Sequence, residues 1–438
     1  MAFQEAEETR RAAAGGALRA LYLLAMRILV IIGFMASLLA PAALAEQPCS
    51  QAALHAEVHR AKAVQITLLA IKAEGDDLKP EYRQQIQKLK DKLAATADAS
   101  LRCATVAITA GKLQNELQSL LNANKPPQKI TQEQDDPNAV TDHVYGADLK
   151  VKTTRAGDKT NWMLVVFNFG IACGDDSMLL GYEWKQEKWT QVLRWQSDFD
   201  RIPNAFGDFF EYQVVQQQDS ANWLVGVAHG HPMCTSNFGG FDLDIIQPER
   251  NDAPQKVLLH KQETYWRDDP TRMRSTPDGF ELRVSGYSRD VNIIRRTGIY
   301  RYSIDGDRIE RVQPVAMNGR DFVDEWLNSP WEESQNWNFP SELANLEATY
   351  KKIAKLNDPK AKEQPHFTYG PVRPCSDSAS HFQVELDYGW WWEEKKDWRP
   401  DAPTFFQIQE GKNSFTMLSA SGKPDPHCTG HDIMPSIY

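Results

Sequence analysis

The sequence predicts a mainly β protein with an N-terminal α-helical hairpin, whose tandem four-stranded units form a propeller-like domain. Apolar residues recur at helical spacing over 50–74 and again after Pro80. Beyond residue 142 the chain changes to short runs rich in Val, Tyr, Trp and Phe, separated by Gly, Asp and Pro. These runs recur at a nearly constant interval, which is typical of repeat-built β folds. A two-sheet β-sandwich of successive hairpins is the alternative, because it produces the same alternation.

The N-terminal segment is typical of an export signal. A basic stretch precedes an apolar run at 28–39, and small residues lead up to Ala45. We therefore expect residues 1–45 to be a signal peptide that is cleaved after Ala45, with Met1 or Met26 as the start. The mature chain would then carry no stable membrane span and would act in the periplasm or outside the cell. An uncleaved anchor is the alternative, since the apolar stretch approaches spanning length.

Helical spacing and cysteine positions together predict a helical hairpin over 46–122. In an antiparallel hairpin, facing residues lie equally far from the turn, and Cys49 and Cys103 are equidistant from Asp76 in the Gly-Asp-Asp break. We expect these two cysteines to be bonded, because disulfides form in exported proteins. The polar, Pro-bearing stretch 123–142 has no apolar period and is expected to be a linker.

The β domain over 143–438 contains the repeated runs. The first two copies begin at Trp162 and Trp223, and a cysteine follows each tryptophan after the same interval: Cys173 in one copy and Cys234 in the other. Weaker copies begin near residues 280 and 382, and a helical insert at about 315–375 separates them. Equivalent positions place Cys173 and Cys234 on one rim, where they would bond directly.

The last two cysteines complete the disulfide framework. All six lie beyond the cleavage site, and an even count in an exported chain favours complete pairing. Cys375 and Cys428 would join the last repeat to the C-terminal tail.

Four polar residues form the first candidate ligand site. Asp175, Asp176, His229 and His231 fall at the same end of successive repeats, so a propeller would bring them to one rim. Imidazoles two apart on a strand point the same way, and carboxylates beside them complete the residue types of a metal site. We expect no cofactor, and a divalent metal on these residues is the alternative.

Three consecutive tryptophans, Trp390, Trp391 and Trp392, form the second candidate site. Adjacent strand residues face opposite ways, so all three rings cannot enter one core. An exposed ring can bind a sugar, a peptide or a protein by stacking. Packing of the helical insert over these rings is the alternative.

Composition and motifs limit the function. The 438 residues carry a formal net charge of −10, and phosphate neutralisation needs clustered Lys and Arg, so nucleic acid is not expected as a partner. No G-x-S-x-G, P-loop, G-x-G-x-x-G or H-E-x-x-H motif is present, and no catalytic residue can be named. The sequence favours an exported binding protein for a glycan or a partner protein. The alternatives are a metal-assisted hydrolase that uses the four polar residues, and a structural protein in which the helical hairpin is an oligomerisation arm.

Overall fold

The structure is a computed structural model. It describes residues 49–71, 78–122, 145–156, 161–171, 174–197, 209–216, 223–232, 237–250, 253–267, 269–290, 293, 295–356, 365–392, 397–400 and 402–434. The predicted signal peptide, the predicted linker at 123–142, Cys173 and Cys234 lie outside these residues. The chain divides into two units, Met1–Ala53 and Leu54–Tyr438, and all elements below belong to the second except the first residues of α1.

The N-terminal region of the described chain contains three helices, where the sequence predicted a hairpin of two. They are α1 (Gln51–Leu69), α2 (Pro80–Arg102) and α3 (Ala110–Asn122). Pro80 occupies the first turn of α2, where its missing N–H costs nothing. α2 ends at a stretch rich in β-branched residues, 105–109, which disfavours a continuous helix.

The rest is mainly β, as predicted, and is built from antiparallel four-stranded units. The strands of the first two units are β1 (Lys150–Arg155), β2 (Trp162–Ile171), β3 (Gly174–Lys185), β4 (Lys188–Gln196), β5 (Phe210–Gln216), β6 (Trp223–Pro232), β7 (Phe238–Gln247) and β8 (Lys256–Trp266). The remaining strands are β9 (Arg272–Thr276), β10 (Gly279–Tyr287), β11 (Arg295–Asp305), β12 (Arg308–Arg311), β13 (His366–Pro374), β14 (His381–Trp392), β15 (Asp397–Pro400), β16 (Thr404–Glu410) and β17 (Phe415–Ser421).

Each unit pairs its strands in chain order. The orders are β1-β2-β3-β4, β5-β6-β7-β8, β9-β10-β11-β12 and β13-β14-β16-β17, and β15 pairs with β14. The second and third units form one eight-stranded sheet, joined through the pair Gly286 and Tyr265. Below, the strands of each unit are called the first to the fourth sheet in chain order. The repeated runs fall on corresponding strands, since Trp162 opens β2 and Trp223 opens β6, and the ring centroids of these two lie 5.9 Å apart.

The first sheet is buried on both faces. One face packs on the helices in a core that includes Leu93, Leu117 and Phe167. The other face packs on β5 and β6 in a core that includes Leu164 and Val225. The N-terminal helices and the first sheet therefore share one core.

The helical insert lies between the third and fourth sheets in the sequence. It comprises α4 (Gly319–Asn328), α5 (Trp331–Ser334) and α6 (Leu343–Leu356), with 3-10 turns at Gln335–Trp337 and Pro340–Glu342. These helices bury Trp326 and Trp337 against the fourth sheet. The insert ends before the predicted residue 375, because His366–Pro374 pair with β14 as the first strand of that sheet.

Four of the described cysteines form disulfides. Cys375 and Cys428 are bonded to each other, and Cys49 and Cys103 are both disulfide-bonded. These bonds are consistent with an extracytoplasmic location. Within the described ranges, no helix has the length and apolarity needed to cross a membrane.

Candidate functional site

A buried lysine on α2 anchors a polar cluster at the ends of β3 and β4. The Lys90 ammonium lies 2.6 Å from a carboxylate oxygen of Asp176 and 2.9 Å from the Ser197 hydroxyl. Lys90 and Asp176 are both fully buried. A buried charge is costly unless it is paired and hydrogen-bonded, and these contacts supply both conditions.

Two donors hydrogen-bond to the Asp176 carboxylate. The Ser197 hydroxyl donates to Oδ1 over 2.6 Å, and the backbone N–H of Ser177 donates to the same oxygen over 2.8 Å. Burial lowers the pKa of the Lys90 ammonium, and Asp176 opposes that shift. The three side chains form one hydrogen-bonded unit in which the serine hydrogen points at the carboxylate.

Asp175 does not join this unit. Adjacent residues of a strand face opposite ways, so Asp175 of β3 points away from α2 and Asp176 points towards it. Asp175 is half-buried and lies opposite Gly170 of β2. The structure therefore separates the two neighbouring carboxylates that the sequence placed in one site.

The two predicted histidines lie on one face of β6, as their spacing requires. Their ring centroids are 4.7 Å apart, and both side chains are buried rather than open to solvent on a rim. The His231 Nε2 atom lies 3.2 Å from a carboxylate oxygen of Asp242, the residue opposite His229 on β7. Aromatic rings cover His229, with the centroid of Trp195 at 5.4 Å and that of Phe210 at 6.1 Å.

The imidazole of His229 is neutral at ordinary pH. Burial lowers its pKa well below the usual range, and His231 and Lys90 add to that shift. Neither ring nitrogen of His229 has a hydrogen-bond partner among the residues that the structure describes, whereas the Nε2 atom of His231 faces the Asp242 carboxylate. A buried polar group without a partner costs about 1–3 kcal/mol, and both nitrogens of His229 are such groups among the described residues.

The lysine and histidine groups lie at neighbouring strand ends. Trp195, which contacts His229, stands two residues before Ser197 on β4, and the charge of Lys90 acts on the His229 ring. We use the name buried polar cluster for this set. Its members are Lys90, Asp176, Ser197, His229, His231 and Asp242.

Sequence reasoning missed three members of the cluster. Lys90 carried a readable signal, since it falls on the apolar face of α2 between Leu89 and Leu93. Ser197 and Asp242 carried none, because a single polar residue near the end of a strand is ordinary.

Among the described residues, possible metal ligands come together away from the histidine pair. In the described part of the chain, one group of three His, Cys, Asp or Glu residues brings its ligand atoms within 4.8 Å of one another. That group is Cys375, His381 and Cys428, and it includes neither His229 nor His231.

The tryptophan triplet lies near the end of β14. Trp390 is half-buried and packs against the core between the helical insert and the fourth sheet. Its ring meets that of Tyr388 edge-on, with the centroids 6.3 Å apart. The backbone of Trp391 pairs with that of Trp398 on β15. The side chains of Trp391 and Trp392 lie outside the described atoms.

Comparison with known proteins gives no family. No protein-family model matches the chain. No curated protein matches it. Among solved structures, the chain is similar to an α-L-arabinofuranosidase from Fusarium graminearum in complex with an iminosugar inhibitor, at 6% identity and a TM-score of 0.23. The match covers 61% of this chain and 66% of that one, just under two thirds of its length, and a TM-score this low carries no argument.

Proposed function

We propose that the chain is an extracytoplasmic binding protein that takes a sugar-like ligand at the buried polar cluster. The observation that supports it best is the pair of buried ring nitrogens of His229, which have no hydrogen-bond partner among the described residues. A neutral imidazole offers one donor and one acceptor, and sugar hydroxyls can pair with both. Binding would therefore restore the hydrogen bonds that the folded chain leaves unmade.

The surroundings of the histidines fit the same class of ligand. Trp195 and Phe210 lie within ring-contact distance of His229. Sugars combine hydroxyls at their edges with C–H faces that pack on aromatic rings. The neutral imidazole of His229 beside aromatic rings matches both properties, whereas an anionic ligand would need more than the one lysine, which Asp176 already neutralises.

A propeller-like arrangement of the four-stranded units belongs to the same proposal. Trp162 and Trp223 occupy equivalent positions in successive units and contact each other. The cluster includes residues near the start of β3, the end of β4 and the end of β6, and Trp195 of β4 contacts His229 of β6. In repeat-built β folds, strand ends on one side form a shared surface for ligands.

Replacing both histidines by apolar residues of similar size tests this site. We expect His229→Phe with His231→Leu to weaken binding of the best sugar from a glycan panel by at least about tenfold. The free energy of unfolding should fall by about 1–3 kcal/mol, because His231→Leu leaves the buried Asp242 carboxylate without its imidazole partner. Calorimetry measures the first quantity and urea unfolding the second, with the exposed His59→Phe as the matched control.

Two results would contradict the proposal. Unchanged sugar affinity in the double variant would place the ligand elsewhere. A loss of unfolding free energy in the double variant, with no glycan bound by the wild type, would make the histidines structural.

The tryptophan triplet is a second proposed contact for the same glycan. Trp390 already packs on the core between the helical insert and the fourth sheet, so we assign the contact to Trp391 and Trp392 alone. Alanine at both positions should weaken glycan binding while unfolding free energy stays within about 0.5 kcal/mol. A loss of stability without a change in affinity would show that the rings are packed.

A hydrolase is the second candidate function, and the Ser197 contact with Lys90 favours it. Serine with a lysine base is a known nucleophile pair, and the two side-chain atoms lie 2.9 Å apart. Against it, the serine hydrogen now points at Asp176, so the lysine is not placed to accept it. Covalent labelling of the protein by a fluorophosphonate, abolished in Ser197→Ala, would favour the hydrolase over the binding protein.

A further inference from the structure

We propose that Cys375, Cys428 and His381 form a metal site for Zn²⁺ or a cation of similar softness when the disulfide between the cysteines is reduced. The site exists as a disulfide in the oxidised protein and as two thiolates and an imidazole in the reduced protein. It is separate from the buried polar cluster and does not depend on the function proposed for that cluster.

The three side chains are already close together. One ligand atom from each, the two sulfurs and a ring nitrogen, lie within 4.8 Å of one another. All three residues are buried, with His381 only 9% exposed. Zn²⁺ binds thiolate sulfur at about 2.3 Å and imidazole nitrogen at about 2.0 Å, so a cation between the atoms needs only small side-chain movements.

His381 is oriented as a metal ligand is. Its Nδ1 atom lies 2.8 Å from a carboxylate oxygen of Asp377. Its Nε2 atom is buried and has no hydrogen-bond partner within the described residues. A carboxylate that accepts a hydrogen bond from one ring nitrogen fixes the tautomer and leaves the lone pair of the other nitrogen for a metal.

The backbone holds these ligands in place without the disulfide. The N–H of Cys375 donates to the carbonyl of His381 over 2.9 Å, so those two ligands are tied directly. The N–H of Ser376 donates to the carbonyl of His427 over 2.8 Å, which fixes the residue before Cys428. Reduction of the S–S bond therefore leaves both cysteine-bearing segments attached to each other.

Oxidation and metal binding exclude each other at this site. When two bound thiolates form the S–S bond, their two electrons pass to a disulfide oxidant, whose own S–S bond breaks and takes up two protons from solvent. The cation then loses two of its three protein ligands and leaves. With three protein ligands, the fourth position of a tetrahedral ion would be open to water.

Cobalt titration of the reduced protein tests the site, because Co²⁺ replaces Zn²⁺ and its thiolate complexes absorb light. The full chain is reduced with a phosphine, and near-ultraviolet circular dichroism checks that it stays folded. We expect one Co²⁺ per chain with a thiolate charge-transfer band, displaced by Zn²⁺ and absent from the oxidised protein. Cys375→Ser with Cys428→Ser should lose the band while it keeps the other four thiols.

Two single variants separate a ligand from a positioning residue. His381→Ala should weaken Co²⁺ binding more than about a hundredfold, and Asp377→Asn should weaken it about 10–100-fold. A band of equal strength in the double serine variant would assign the metal to other cysteines and overturn the proposal. Absence of the band in folded reduced protein, or unfolding on reduction, would overturn it as well.

Discussion

At the residue scale, the ion pair of Lys90 and Asp176 joins α2 to the first sheet. Neither side chain touches water, and Ser197 and a backbone N–H complete the bonds of the carboxylate. Such a pair adds little net stability over apolar residues of the same size, because desolvation of both charges offsets their attraction.

Removing one charge of this pair should be costly, and removing both should not. We expect Lys90→Met to lower the free energy of unfolding by about 3–5 kcal/mol, because it leaves Asp176 buried without its cation. Lys90→Met combined with Asp176→Leu should recover most of that loss. Urea unfolding measures both, and Lys351→Met in the exposed pair with Glu347 is a control that should cost under about 0.5 kcal/mol. Equal losses in the single and double variants would contradict this account.

Asp321 should make stability fall as pH rises. Burial raises its pKa to about 6, with Asp324 adding to the shift and Arg296 opposing it. An acid whose folded pKa lies above its unfolded value near 3.8 loses stability from about pH 4 to pH 6, since the unfolded chain ionises first. Asp321→Asn should therefore add about 1–3 kcal/mol at pH 7 and almost nothing at pH 4.

Urea unfolding across this pH range measures the difference between Asp321→Asn and the wild type. The exposed turn residue Asp307, changed to Asn, is the control and should give the wild-type pH profile. A constant gain for Asp321→Asn at every pH would show that its effect does not come from ionisation.

At the element scale, polar–apolar alternation was sufficient to predict the strands, and helical spacing was sufficient to predict the long helices. The repeat that begins at Trp162 and Trp223 predicted the strands of successive units, and the mainly β class is confirmed. The break that separates α3 from α2 was missed because it lacks Gly and Pro, although its β-branched run, 105–109, was a signal. β13 was missed because its bulge between Tyr369 and Val372 interrupts the alternation.

The candidate site was less predictable than the elements. Strand alternation correctly gave His229 and His231 one face, but it also separates Asp175 from Asp176. The partners Lys90 and Ser197 lie about a hundred residues apart in the sequence, and their contact depends on how α2 packs on the first sheet. Sequence patterns report local periods and do not report such long-range packing.

Substitution of two glycines tests how much space a strand and a helix leave for an added Cβ atom. A Cβ on Gly279 of β10 would lie 2.0 Å from the backbone oxygen of Tyr302 on β11, so Gly279→Ala should cost about 2–4 kcal/mol. A Cβ on Gly111 of α3 meets nothing within 4 Å, so Gly111→Ala should add about 0.5–1 kcal/mol. Thermal unfolding would show opposite shifts in Tm, and a neutral Gly279→Ala would mean that the strand pair can separate locally.

At the scale of the whole molecule, a buried ionic network joins the third sheet to the helical insert. Arg296 of β11 contacts Asp324 over 2.7 Å and also pairs with Glu325, and Arg311 of β12 binds Glu325 over 2.5 Å. The Tyr369 hydroxyl of β13 donates to Asp324 over 2.9 Å, which brings in the fourth sheet. Three elements that are distant in sequence therefore share one set of charges.

This network should govern acid unfolding. Burial alone would raise the pKa of Glu325, but Arg296 and Arg311 outweigh it and hold the pKa at about 2. A carboxyl with a lowered folded pKa stabilises above its unfolded value near 4.5 and loses that contribution as pH falls towards 2. Glu325→Gln should cost about 3–5 kcal/mol at pH 7 and remove most of the stability loss between pH 4.5 and 2.

Urea unfolding at pH 7, 4 and 3 measures the effect of Glu325→Gln. Glu347→Gln, in the exposed pair with Lys351, is the matched control and should follow the wild type. If Glu325→Gln loses as much unfolding free energy as the wild type when the pH falls, acid unfolding is caused by another carboxyl.

The N-terminal helices and the first sheet share a core, so the linker between them does not separate two independently folding domains. A polypeptide that began at residue 145 would expose the face of β2 that carries Met163, Val165 and Phe167. A protease cut between residues 122 and 145 would leave two pieces whose apolar faces still match. Expressed as separate chains, those pieces should reassemble into the native fold, so the protein can be reconstituted from halves where its sequence alone marks a domain boundary.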